Sequence, residues 1–367
     1  MPTGTPSTVP GTPPAASVPA ERPRLTPPGR SGGSLSEGRL SGAAITAIEL
    51  AGLAACCLAA LALGVETIPL DTVVGSLVGA HDGQLADTVT AVRLPRVFVA
   101  IEVGASLAVA GALMQAITRN PIASPAVFGI NNGASLAIVT VLIITGGVGM
   151  STSLWLAFLG AAVAGGIVYL MASLGPGGLT PFRLTVAGAA ISALFYSVTQ
   201  GILVVDETTL DQAKRWLAGS IQGRRMEHAV TVLPFVAGGF ALAIGLARSL
   251  TSLTLGDDMA RSLGIRVGLI KGLAAAAVVL LAGSAVALAG PVAFVGLAVP
   301  HIVRYLVGTD YRRVLPHALI LGGALLVTAD IVARLVIRPE ELAVGVVTAI
   351  IGTPVFIHFA RRNIKGV

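Results

Sequence analysis

The sequence predicts an all-α polytopic membrane protein of about ten transmembrane helices, on three observations. Of its 367 residues, 54% are hydrophobic and 11% charged, whereas soluble domains carry about 25% charged residues. A helix needs about 20 apolar residues to cross a hydrocarbon core of roughly 30 Å, and runs close to that length recur along nearly the whole chain after residue 42. Glycine is abundant at 45 residues and aromatics make up only 4%. That composition suits helices that approach through small-residue faces, since lipid offers no hydrophobic drive between them.

Residues 1–40 are rich in Pro, Gly, Ser and Thr and lack apolar periodicity, which predicts a disordered cytoplasmic tail ahead of a transmembrane domain over 41–367. The first pass, 43–64, holds adjacent Cys56 and Cys57, poorly placed for a disulfide or a metal site. "LAAC" (53–56) is similar to a lipoprotein cleavage box, but it lies some fifty residues in and precedes many more spans, unlike a signal segment. The second pass, 96–118, contains "GASLAVAGA" (104–112), a close-packing face. The third, 125–146, is predicted to begin broken. Pro121 and Pro125 lack amide donors and disfavour helix at the residue before them, and Asn131, Asn132 and Gly133 tolerate turns.

Passes four to seven are read at 153–174, 184–205, 228–247 and 268–289. The eighth, 292–307, is short and falls in "AGPVAFVGLAVPHIVR" (289–304), whose opening "AG" and proline interruption echo the run that begins at 110–111. The echo is consistent with two related halves. The ninth and tenth passes are 315–336 and 343–360. Irregular backbone at membrane depth is tolerated where protein or a water-filled cavity satisfies it, a pattern common in transporters. Gln115, Asn120, Pro121, Pro125, Asn131, Asn132 and Pro300 are therefore pathway or helix-break candidates, with packing the competing role for Gln115 and Asn120.

The net charge of +6 and the pI near 9.9 do not point to nucleic acid, because Lys and Arg are scattered between apolar runs. With both termini cytoplasmic, the inside segments carry ten basic residues against seven outside, and the tail adds four arginines, in the sense of the positive-inside rule.

In the loop between passes six and seven, Asp257 and Asp258 suit a helix N-terminus, where carboxylates cap free amides and meet the dipole. Gly264 suits the C-terminal stop. Met259, Ala260 and Leu263 share one face of that short helix, a small apolar knob or merely a connector. Arg93 and Arg96 flank Leu94-Pro95 at the outer end of the second pass, where arginines snorkel to the interface. Asp330 and Arg334, spaced i, i+4, share a helix face and can neutralise one another within the membrane. Trp216, in the loop after pass five, suits the interface belt. Glu102 is read as hydrogen-bonding internally. His301 is read as capping a broken helix, since no second ligand stands at metal spacing. The lysines, Lys214, Lys271 and Lys365, follow Ala, Ile and Ile, so no Walker A Gly-Lys pair is present to hold nucleotide phosphates.

"RLPR" (93–96), "GALMQAITRNPIASPAVFGINNGAS" (111–135), "LGDDMARSLGI" (255–265), "GPVAFVGLAVPHIVR" (290–304), "LPHALILGGALLVTADIVAR" (315–334) and "GVVTAIIGTPVF" (345–356) together resemble the permease family of ABC importers for iron–siderophore complexes, haem and vitamin B12. The resemblance covers about residues 43–362 in the family's order. It implies the fold of the vitamin B12 importer permeases and a multi-pass protein of the cytoplasmic membrane, working by ATP-driven alternating access on a ferric siderophore. Haem or cobalamin is the alternative cargo. Implied partners are a second permease, the same chain or a paralogue, two cytoplasmic ABC ATPases and an extracytoplasmic substrate-binding protein. No cofactor is bound directly, ATP and Mg being used by the ATPase, and neither a catalytic role nor a metal site is implied.

By the same resemblance Arg93, Arg96 and Arg334 receive glutamates of the binding protein. Leu255, Gly256, Asp257, Met259, Ala260, Leu263 and Gly264 dock in a groove of the ATPase. Two other classes compete. An ion-coupled secondary transporter would use Glu102 and Asp330 as proton or sodium sites. An intramembrane enzyme would centre on His301, His317 and Asp330, which stand without a paired nucleophile.

Overall fold

The computed structural model describes residues 42–174, 179–205 and 207–364, so the predicted tail lies outside the described residues. Among the described residues fourteen α-helices follow one another: α1 (Gly42–Ala62), α2 (Leu70–Leu77), α3 (Gln84–Asp87), α4 (Leu94–Thr118), α5 (Ile130–Thr145), α6 (Met150–Ser173), α7 (Pro181–Val205), α8 (Glu207–Leu217), α9 (Met226–Leu253), α10 (Asp257–Ser262), α11 (Val267–Ala289), α12 (Val295–Val307), α13 (Tyr311–Leu335) and α14 (Val344–Ile364). No strand occurs among the described residues.

Among the described residues seven helical segments are long and apolar enough to cross a membrane: α1, the continuous run Gln84–Thr118 that ends in α4, α6, α7, α9, α11 and α13. Three of the ten predicted passes fall on shorter apolar helices, Ile130–Thr145, Val295–Val307 and Val344–Pro354 within α14. At 1.5 Å per residue α5 and α12 rise about 24 and 20 Å, less than a hydrocarbon core of about 30 Å. α5 is shortened at its start by the turn over Pro125–Phe128 and Gly129, and α12 by the turns at Gly290 and Phe294. α9 departs in the other direction, running six residues past its predicted end. There the hydropathy falls but the helix continues, with the Thr251 and Ser252 hydroxyls donating back to the carbonyls of Ala247 and Arg248.

α4 and α11 form the centre: 89% and 72% of their most apolar stretches are buried, against 17% in α1 and α7. Contact at this centre relies on absent side chains. A Cβ at Gly104 would stand 2.2 Å from the Gly322 carbonyl oxygen of α13, and one at Gly111 would stand 1.8 Å from that of Gly296 in α12. Helices that close gain dispersion contacts along their backbones where lipid supplies no hydrophobic drive.

Both predicted breaks are present. α4 ends at Arg119 in the left-handed region (φ 47°); a 3-10 turn over Pro125–Phe128 and Gly129 at φ 68° then precede α5. Before α12 the chain turns at Gly290 (φ 70°) and again at Phe294 (φ 68°). A left-handed aromatic residue costs about 1–3 kcal/mol and persists only where its surroundings over-determine it. The side chain of Phe294 fills the space beside Gly352, where a Cβ would come within 2.5 Å of it.

Candidate functional site

Three places collect the predicted residues: the two ends of the long helices and the junction of the two breaks.

At the end where α1 stops and α4 starts, a π-helical turn (Thr88–Arg93) leads into α4 and brings Arg93 and Arg96 inward. Arg93 is 7% exposed, and its Nη1 donates to the carbonyls of Leu61 and Ala62 at 2.7 and 2.8 Å while Nη2 reaches that of Glu66. It thus closes carbonyls that the end of α1 leaves open and puts a cation at the negative end of the dipole. Arg334, 3% exposed, donates from Nη1 to Ala60 and Leu63 carbonyls, both at 3.0 Å. Its Nε lies 3.1 Å from Asp330 Oδ2, the i, i+4 pair read from the sequence. Asp330 Oδ1 in turn accepts from Arg96 Nε and Nη2 at 3.0 and 2.8 Å, and Arg96 Nη1 donates to Glu341 Oε2 at 2.7 Å. The structure therefore brings Arg93, Arg96 and Arg334 together, around Asp330 and Glu341, with their guanidiniums turned into the protein.

At the opposite end, α10 stands between α9 and α11. Its predicted stop is a Schellman motif: Gly264 is left-handed (φ 79°), its amide donates to Arg261, and that of Ile265 donates to Ala260. Its predicted start is different. Gly256 is the N-cap and no side chain caps the helix. Asp257 instead lies 2.6 Å from Lys271 Nζ and 3.9 Å from Arg119 Nη2, and Asp258 pairs with Arg261 at 2.7 Å. The apolar knob also needs correction. Ala260 is fully buried at 0% exposure, while Leu255, Met259 and Leu263 are 67%, 53% and 59% exposed. Ala260 packs inward because α10 rests on its neighbours through that position; the apolar side chains left outward are Met259 on the helix, Leu255 just before its Gly256 N-cap and Leu263 at its C-cap.

The two breaks meet. Pro125, Asn131, Leu107, Phe294 and Gly296 line a cavity of about 230 Å³. Pro300 lacks the amide that would have bonded the Gly296 carbonyl four residues back. Gln115 Nε2 lies 3.5 Å from the carbonyls of Gly296 and Leu297, and its Oε1 accepts from Arg304. His301 Nδ1 sits 3.0 Å from the Leu297 carbonyl one turn back; it lies inside α12 and does not cap a helix end as the sequence had suggested. Asn120 closes an Asx turn on the amide of Ile122 (3.0 Å), the turn that carries Pro121. Asn132 Nδ2 donates to the Ser192 carbonyl at 3.1 Å, tying α5 to α7.

The three groups of the enzyme reading are not brought together. His317 Nδ1 lies 2.5 Å from Glu49 Oε2 on α1, His301 serves its own helix, and Asp330 is shared by two arginines. Glu102 is buried with both oxygens lacking a partner, where the sequence had suggested an internal hydrogen bond. Sequence reasoning missed Glu341, Lys271, Arg304 and Glu49. Their partners lie 14 to 268 residues away, and no local spacing signals them.

Known proteins can be set beside this geometry. The profile of the FecCD transport family matches residues 52–362. A probable siderophore transport system permease protein of Bacillus subtilis is 52% identical, over 75% of this chain and 82% of its own length. An Fe(3+)-citrate import system permease protein of the same organism is 46% identical, over 76% and 83%. A cobalamin import system permease protein of Halobacterium salinarum is 38% identical, over 74% and 72%. Among solved structures, a metal-chelate type ABC transporter in an inward-facing conformation superposes with a TM-score of 0.77 at 24% identity, over 87% of this chain and 99% of that one, a likeness of fold.

Proposed function

The chain belongs to the FecCD transport family and is a membrane permease; on that premise we propose that it carries ferric chelates of the siderophore class into the cytoplasm, driven by a separate ATPase that uses ATP and Mg. The relatives above 45% identity, named for siderophore and Fe(3+)-citrate transport, support iron chelates over cobalamin, for which the relative of 38% is named. In this reading the three short apolar helices complete ten passes, with both termini cytoplasmic and α10 facing the cytoplasm. A second permease completes the pathway, and the junction of the two breaks, with Gln115, Asn131 and Pro300 about it, belongs to its wall.

The observation that carries the reading is the outward apolar face of α10. Leu255, Met259 and Leu263 stand exposed on and beside a short helix pinned from beneath by the Asp257–Lys271 pair, in a chain with no nucleotide loop of its own. A rigid, apolar, cytoplasmic projection is what a nucleotide-driven partner needs to push on. At the other end, we propose that an extracytoplasmic binding protein docks over Arg93, Arg96 and Arg334. Since the three are buried, they act from below, by fixing the ends of α1, α4 and α13 and by the field of three cations set against two carboxylates.

The test is affinity purification from the native membrane together with uptake of radioactive iron as ferric citrate and as a ferric hydroxamate. Wild type is expected to bring down an ABC ATPase that Met259→Glu loses, and iron uptake is expected to fall with it. Uptake that survives removal of the ATPase and collapses with the proton gradient would replace this reading with an ion-coupled one centred on Glu102.

A further inference from the structure

Between the end of α8 and the start of α9 lies an open cavity of about 460 Å³, within the range of roughly 300–1,000 Å³ that holds small ligands. Ile138 and Leu142 of α5 give it an apolar wall; Gln212, Trp216, Gln222 and Arg224 give it a wall of donors. Two of those donors are unused. Arg224 is 6% exposed, its Nε is buried without an acceptor, and its Nη1 lies against the Met150 sulfur, a weak acceptor. The Trp216 Nε1 is likewise buried and unpartnered. No acidic side chain lines the cavity among the described residues.

Buried cations are ordinarily paired and buried donors ordinarily bonded. A guanidinium without an anionic partner and an unbonded indole N–H at the edge of an organic-sized space form half of a recognition site. Burial lowers the Arg224 guanidinium to about 10, which leaves it cationic at neutral pH. Its planar fork matches a carboxylate in two parallel bonds, and the aliphatic wall opposite favours an anion with a carbon skeleton over a hydrated inorganic one.

We propose that this cavity binds a small organic carboxylate, with the anionic group on Arg224 and Trp216 and the carbon skeleton against Ile138 and Leu142. The site lies apart from the buried arginine cluster and from α10, and it stands whether or not the transport reading does.

Trp216 is one of two tryptophans, so Trp155→Phe leaves it as the sole reporter. The full chain in lipid nanodiscs is titrated with citrate at neutral pH and the Trp216 emission is followed. A saturable change is expected, with a midpoint at least tenfold weaker in Arg224→Gln and intermediate in Arg224→Lys, and with inorganic phosphate at least tenfold weaker than citrate. Gln212→Glu, which sets a carboxylate in the cavity in place of the amide that donates to the Gly146 carbonyl, is expected to abolish the response and covers the case in which Arg224→Gln fails to fold. No saturable response, an equal midpoint in Arg224→Gln, persistence in Gln212→Glu, or phosphate matching citrate would each overturn the assignment.

Discussion

At one end of the long helices Arg93, Arg96, Asp330, Arg334 and Glu341 turn their charges inward; at the other, Leu255, Met259 and Leu263 turn apolar surface outward. The usual rule is reversed at both. Inward charge does structural work here: it joins α1, α4 and α13 by bonds with fixed geometry, each lost partner leaving an uncompensated ion. Outward apolar surface does nothing for this chain alone. Burying three such side chains is worth about 1.5–3 kcal/mol each, before the cost of association, and that gain can be realised only against another molecule. Charge at the first end therefore marks where the permease holds itself together, and the apolar side chains exposed around α10, unlike those along the membrane-crossing helices, mark where a partner is proposed to hold it.

The contrast makes stability and assembly separable. Asp330→Asn should have the largest effect on stability, about 3–5 kcal/mol, since it strips the shared counter-ion from two buried arginines; thermal unfolding in detergent reads this, and an unchanged Tm would mean the cluster is not what joins the three helices. Asp257→Asn comes next, at about 2 kcal/mol for a charge-assisted bond to buried Lys271. Its loss should appear as faster amide exchange over 255–265 with the rest of the chain unchanged. Arg93→Lys keeps the charge but loses the fork that serves several carbonyls, so about 1 kcal/mol should go, confined to the end of α1; a loss as large as that of Asp330→Asn would show that the fork matters more than the ion pair. Met259→Glu and Leu263→Glu, on an exposed face, should stay within about 0.5 kcal/mol of wild type while recovery of the ATPase falls at least tenfold. Equal stability with equal recovery would break the comparison at its apolar end.

What was legible in the sequence was local. Apolar runs fixed the long helices to within a few residues at most ends, because hydropathy and proline act on the segment that carries them. Asp330 and Arg334 could be paired because they are one turn apart. The breaks at Pro121, Pro125 and Pro300 could be placed because a missing amide is a property of one residue. Burial was not legible. Arginines read as surface residues until α1 and Glu341 arrive to enclose them, and Ala260 reads as part of a knob until the helices beneath α10 show which way it faces. Arg96 and Asp330 lie 234 residues apart, and only the packing of α4 on α13 makes them neighbours. The Gln115 side chain opposite the carbonyl that Pro300 frees belongs to the same class. The missing donor is visible in the sequence, but the group that compensates for it is not.

The carbonyls at the end of α1 also set an order of assembly. Arg93 follows them by about 30 residues, whereas Arg334 follows Ala60 by 274, which at about 5–20 residues per second of synthesis is a wait of roughly 14–55 s. Through that interval the end of α1 is half closed, so the first of the described helices is among the last to be finished.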